Sequence, residues 1–437
     1  MSLTVYAFFA LLTCVYWLAS LFVLLLRLSD PQFRNMARYG GRYTTVSLLP
    51  LTVASTTGQS TTKNNNNNNN TVNLKNRFSY CMNCIEKTWI LQWIRTNIAV
   101  VLVLLERSFL CQVRVSRKYS FCAFYITGAI SSLVLLSLQY FEFSLNNITS
   151  TFCFEQVLKN NTLWKYDSLP LVAFLIHCTV RLWECLCVHR FRTGKVDSVT
   201  LFAALAGCSF YVFAANSSSV VVFRAVQIAS LSSYDCKRFR LSSSVHYITF
   251  PATIVVICFI LHLLLQGLQV FHHGILAKLR GESSTSNRSH GKSVITKHQK
   301  VINDKDTFNQ EKLGTSGSNY HFPYTSLFVY VLEPHYTCEI VMYLVNAISI
   351  WSLLYPTTSL LLMTGCEEEG NCHVSQKLLF VFISILLNYV APLGVLLFTL
   401  FNLAITASDH RCFWNHVNGE REEKEQIPRW DLFYRLW

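Results

Sequence analysis

Arg181 and Glu184 stand three residues apart inside the apolar stretch from Leu169 to Cys187. Opposite charges at that spacing share one helical face and can pair. His177 lies one turn earlier, so the three form a polar stripe on a helix otherwise built from Leu, Val, Phe and Cys. An ionisable group at a helix centre in a bilayer costs about 2.5–3.5 kcal/mol, so each one retained needs a partner or a task. Glu106 and Arg107, in another apolar stretch, are adjacent and point apart, and each needs a partner on a different helix. Arg224 follows the polar break Asn216 to Ser219, where an interrupted helix would bring backbone groups toward the same interior. His262 is a further neutral candidate. Such groups fit two roles. They can line a polar path for an ion, a solute or a lipid headgroup, where the planar fork of Arg suits phosphate. They can equally be interhelical ion pairs that hold a bundle, or side chains that snorkel to its edge.

The motifs of soluble catalysis are missing. There is no phosphate-binding glycine loop, no nucleophile elbow and no HExxH pair, and no enzyme activity is expected. No cofactor and no metal centre is expected either. Cys81 and Cys84 make a single CxxC with no second ligand pair behind it, and His272-His273 runs into Gly274 without ligand spacing. The chain holds 16 cysteines, most within apolar runs, where they act as small hydrophobes. Cys366 and Cys372 flank an acidic loop and form a candidate disulfide if that loop is extracellular. Asn147 and Asn160 open sequons in the loop between Phe143 and Ser168, which sparse positive charge places outside, and are candidate glycosylation sites.

The elements that must carry these groups are spanning helices. Of 437 residues, 51% are hydrophobic and only 14% charged, against about 25% charged in soluble domains. Apolar runs cover Val5 to Leu26, Phe121 to Phe141, Leu169 to Cys187, Tyr247 to Val270, Ile340 to Met363 and Leu378 to Leu403. Crossing about 30 Å of hydrocarbon takes roughly 20 apolar residues. Weaker or shorter runs lie at Trp89 to Val113, Val199 to Ala215, Val220 to Ser233 and Pro323 to Leu332. The fold class is therefore all-α, a polytopic membrane helix bundle of about eight spanning helices plus one or two re-entrant or short ones. Residues 1–27 form the first transmembrane helix, 28–88 an Asn-rich low-complexity loop, and 89–278 further transmembrane helices. A hydrophilic loop follows at 279–322, more transmembrane helices at 323–407, and a cytoplasmic tail at 408–437.

The net charge of +13 is scattered over separate loops rather than one face, which argues against nucleic acid as a partner. By the positive-inside rule, the loops near Arg117, Arg190 and Arg238 face the cytoplasm, and the loop at Glu367 faces out. Counting crossings then puts residues 272–322 outside, unless Tyr247 to Leu279 is a hairpin or Pro323 to Leu332 only dips into the membrane. Sequence leaves these topologies open.

The segment Arg224-Ala-Val-Gln-Ile-Ala-Ser-Leu-Ser-Ser-Tyr-Asp-Cys-Lys-Arg238 resembles a recurring stretch of the XK-related (Kell-complex-associated) membrane proteins. Two further stretches are similar in order and character. One is Phe174 to Glu184. The other is Ser326 to Leu332 followed by Val341 to Tyr355, with Asn346 and Trp351. The first helix carries no acidic residue where that family shows Asp. The resemblance spans Leu169 to Leu403. It implies a plasma-membrane, multi-pass bundle with buried charges between helices. It also implies ATP-independent phospholipid scrambling, with phosphatidylserine exposure in apoptosis, and partners that are membrane phospholipids and, for some members, a second membrane protein. Under it, Glu106, Arg107, Arg181, Glu184 and Arg224 are the lipid-path candidates. The alternatives from sequence are a multi-helix receptor and a non-transporting membrane subunit of a complex.

Overall fold

A computed structural model describes residues 3–29, 107–149, 166–189, 191, 198–220, 222–224, 246–289, 322–365, 374–419 and 427–433. Helix dominates them: α1 (Leu3–Ser29), α2 (Phe109–Gln112), α3 (Arg117–Thr149), α4 (Leu169–Trp183), α5 (Leu201–Ser217), α6 (His246–Ser289), α7 (Pro334–Gly365) and α8 (Val374–Gly419). A π-helical turn, Glu184–Val188, continues α4, and a 3-10 turn, Ser326–Val329, precedes α7. Among the described residues, six helices are long and apolar enough to cross a membrane. The protein is an all-α, multi-pass membrane helix bundle. The expected spans over Trp89 to Val113 and Val220 to Ser233 lie largely outside the described residues. Where the first becomes visible it is not a continuous helix, because α2 has four residues and a short strand follows it.

The chain divides into two compact units. The smaller, Asp30–Arg117 with Arg192–Leu205, contains the two strands β1 (Arg114–Ser116) and β2 (Ser198–Thr200). They pair antiparallel, with Val115 opposite Val199. Thr200 Oγ1 accepts the Ala203 N–H at 3.1 Å and so caps the first turn of α5.

The larger unit, Met1–Ser29, Lys118–Phe191 and Ala206–Trp437, holds the bundle. Its helices are apolar on every side because their outer faces meet lipid. On α1, Phe8, Leu11, Val15, Leu18 and Leu25 are exposed, while Ala10, Thr13, Cys14 and Trp17 face inward. With lipid as apolar as the core, close contact depends on small residues. At Gly394 of α8 a Cβ would stand 2.5 Å from Trp17 Cβ, and at Gly128 of α3 it would stand 2.7 Å from Cys178 Sγ.

Contacts fix the helix directions. α6 lies beside α4 in the same sense: Cys258 and His262 line a small cavity with Leu169 and Ala173, while His273 meets Glu184. α7 runs opposite, from His335 near His273 to Leu353 near Arg224. The far part of α8 returns to the His189 end, where His410 meets Glu333 and Asp409 pairs with Arg27 at the close of α1. α6 is thus one continuous helix, which excludes the hairpin alternative. It begins at the Asp167 end, whereas the basic cluster before it suggested the other side; Arg238 itself lies outside the described residues.

The segment 322–332 does not cross. Its Phe322, Phe328 and Leu332 pack with Trp414 of α8 against Ile275 and Leu276. The tail folds onto the same end: Leu332 N–H donates to Trp430 O at 2.8 Å, Leu432 is fully buried, and Arg411 pairs with Asp431.

Candidate functional site

α4 starts where Pro170 occupies its first turn, a position that tolerates the missing N–H. Its last regular turn carries Arg181, and the π turn begins at Glu184. Arg181 Nη1 donates to Glu184 Oε2, the pair that their spacing predicts. The carboxylate is fully buried and the guanidinium nearly so, with side-chain exposures of 0% and 12%. Arg181 does not reach out to water: its Nε donates to Tyr125 Oη at 3.2 Å, and its guanidinium lies 5.3 Å from the centre of that ring. The pair sits inside the bundle.

Several further groups complete the centre. His273 of α6 places Nδ1 2.9 Å from Glu184 Oε1 and 2.7 Å from Arg181 Nη1. One ring nitrogen therefore faces an acceptor and a donor together. With a proton on Nδ1 it satisfies Glu184; without one it satisfies Arg181. His335 stacks edge-on to His273, with centroids 4.8 Å apart, and His189 approaches it to 5.0 Å. Outward from His335, Glu333 Oε1 is 2.7 Å from Nδ1 of the half-buried His410. Inward, Gln269 Nε2 donates to Glu339 Oε2 at 3.0 Å. Gln266 Nε2 donates to Gln269 Oε1 at 3.3 Å, and Gln266 Oε1 meets His177 Nδ1 at 2.8 Å. A polar seam thus leads from the bundle's edge at His410 to His177 and His262 in its middle.

Sequence reasoning found His177, Arg181, Glu184 and His262 but missed Glu333, His335, Glu339, Gln266, Gln269, His273 and His189. The missing signal was periodicity. His262, Gln266, Gln269 and His273 recur at spacings of four, three and four, one face of an otherwise apolar helix. His335, Glu339 and Asn346 do the same on α7. His189 had no such signal, since it depends on the π turn, whose bond runs from His189 N–H to Glu184 O at 2.7 Å.

The other candidates fall elsewhere. Arg224 is buried but belongs to a separate pair: Nη1 donates to Asp167 Oδ2 and Nη2 to Leu353 O at 3.0 Å. Asp167 is fully buried, and burial lifts its carboxyl to about 6, with the Arg224 guanidinium pulling the other way. The break after α5 is stapled. Asn216 donates to Thr13 Oγ1, Trp17 Nε1 to Ser217 Oγ at 2.8 Å, and Asn346 Nδ2 to Ser218 Oγ at 2.9 Å. Arg107 is exposed, which corrects its assignment as a buried charge; it sits just before the four-residue α2. Glu106, Cys366, Cys372 and Asn160 lie outside the described residues. Asn147 falls in the last turn of α3.

No family model, curated protein or solved structure matches the chain. Its functional reading rests on its own geometry.

Proposed function

We propose that this protein is an XK-related-like, multi-pass protein of the plasma membrane. It passes phospholipid headgroups between leaflets without ATP, in the service of phosphatidylserine exposure during apoptosis. The observation that supports this most is a buried guanidinium at Arg181, held by a carboxylate on the polar seam of α4, α6 and α7. A lipid phosphate offers Arg the oxygen acceptors that Glu184 does, so it can replace Glu184 as the partner of Arg181, with Glu184 left to a protonated His273. In the arrangement described, Arg181 is closed onto Glu184, which corresponds to a shut path. No bond in the lipid is made or broken, and the activity is transport rather than catalysis. Phospholipids are the proposed partners, with a second membrane protein as regulator.

A second reading has its own support. Arg181, Glu184 and His273 satisfy one another, as they would in a non-transporting subunit whose seam only holds helices together. Reconstitution separates the two. Purified protein in liposomes with fluorescent phosphatidylserine and an external quencher is expected to expose the inner-leaflet label. Arg181→Ala with Glu184→Ala is expected to abolish that flux while the helical signal stays unchanged. Flip rates of the wild type equal to those of empty liposomes would leave the subunit reading. Equal rates in wild type and double variant would remove the role given to the pair.

A further inference from the structure

The π turn has a consequence that lipid transport does not use. In an α-helix, residue i+5 points about 140° away from residue i, so Glu184 and His189 would face different neighbours. The wider turn brings them back to one side, and single π turns of this kind concentrate at functional sites. Opposite them, α6 supplies His273. One ligand atom from each of Glu184, His189 and His273 lies within 4.8 Å of the others.

We propose that Glu184, His189 and His273 bind a single first-row divalent cation, zinc by ligand chemistry. Two imidazoles and a carboxylate are a three-ligand set that leaves a fourth position open in tetrahedral zinc sites. Tetrahedral ligands about 2.0–2.2 Å from zinc stand roughly 3.4 Å apart. The widest pair, at up to 4.8 Å, therefore closes by about 1.4 Å on loading. The partners around the ligands suit this. Glu184 presents Oε1 toward His273 and keeps Oε2 on Arg181, so one oxygen is directed inward while the other is held by a guanidinium, as outer partners hold metal carboxylates. His273 Nδ1 faces Arg181 at 2.7 Å, and a nitrogen that accepts from Arg carries no proton, the state a metal ligand requires. Loading replaces that contact and leaves Arg181 on Glu184 Oε2. Glu184 and His273 are buried and His189 is half-buried, which gives the ion a way in from the end where α4 closes.

The test needs no lipid assay, so its failure and that of the transport reading are distinguishable. The full chain, stripped with chelator in detergent, is titrated with cobalt and followed by absorption, and its zinc content is measured by mass spectrometry after equilibration. About one ion per chain with a four-coordinate visible spectrum is expected. His189→Ala and His273→Gln should each weaken binding by more than the roughly 10–100-fold that losing an outer partner gives. His189 is half-buried and ends the π turn, so its variant keeps the test valid if His273→Gln does not fold. Wild-type affinity in the His189 variant, no stoichiometric uptake, or thiolate charge-transfer bands that assign the ion to cysteines would each overturn the site.

Discussion

Glu184→Gln is the perturbation that separates a buried ion pair from a packing feature. The substitution keeps volume and removes only charge. In the native centre the carboxylate is fully buried, accepts from Arg181 and has His273 Nδ1 2.9 Å from its other oxygen. Without it the guanidinium retains Tyr125 and His273, both neutral partners. Breaking a buried pair on one side costs about 3–5 kcal/mol, because the remaining charge has no compensation. Arg181→Met leaves Glu184 buried beside His273, and a cost of similar size is expected. The double variant removes both charges. A buried pair replaced by well-packed neutral groups is often neutral in stability, so its loss should be about 1–2 kcal/mol. A coupling of at least about 4 kcal/mol between the two sites follows. Unfolding in mixed micelles by detergent titration, read from tryptophan fluorescence, measures all four proteins. Single losses that add to within about 0.5 kcal/mol would mean the two residues do not interact, and the buried centre would then be wrong.

Asp167 sets a pH dependence of stability. Its folded carboxyl titrates near 6, above its ordinary value of 3.8. The stability it contributes is therefore present at low pH and lost as pH rises through 6. Between pH 7 and pH 5 the native state is expected to gain about 1 kcal/mol from this group, and Asp167→Asn should lack that gain when unfolding is followed across the same range. At Gly394 the added Cβ meets Trp17 at 2.5 Å, whereas at Gly267 nothing lies within 4 Å. Gly394→Ala should cost about 1–3 kcal/mol by overpacking, and Gly267→Ala should be neutral or stabilising by up to about 1 kcal/mol; thermal unfolding in detergent compares the two.

The spans were legible because the need to bury every backbone group in lipid leaves long apolar helices as the only pattern, and Val5 to Leu26 or Phe121 to Phe141 cannot be anything else. The ends were not. α6 continues to Ser289 and α8 to Gly419, well past their apolar runs, because helix hydrogen bonds continue beyond the membrane once polar residues can be solvated. The site was half legible. Arg181 and Glu184 sit three apart on one helix, so their pairing needed no tertiary knowledge. Arg224 and Asp167 are 57 residues apart, and that pairing depends on how α4 and the stretch after α5 meet. Sequence reasoning assigned Asp167 to an outer loop, where a lone carboxylate attracts no notice. His273 was dismissed on the spacing of His272-His273, when the relevant spacing ran backward along α6 to Gln269, Gln266 and His262.

That stripe also bears on why these helices adopt one register. Leu and Val facing other Leu and Val in lipid gain little from any particular alignment, since the tails they displace are equally apolar. The polar stripes of α4, α6 and α7 are different. Sliding α6 by one residue against α4 would rotate Gln266 and His273 away from His177 and Glu184, leaving buried polar groups without partners, each at a cost of about 1–3 kcal/mol. Several such penalties arise together, which makes the described alignment the only low-energy one among its neighbours. The residues that specify the bundle are thus the same ones that form its charged centre. A bundle aligned by Arg181, Glu184 and His273 holds that alignment for as long as these three groups satisfy one another.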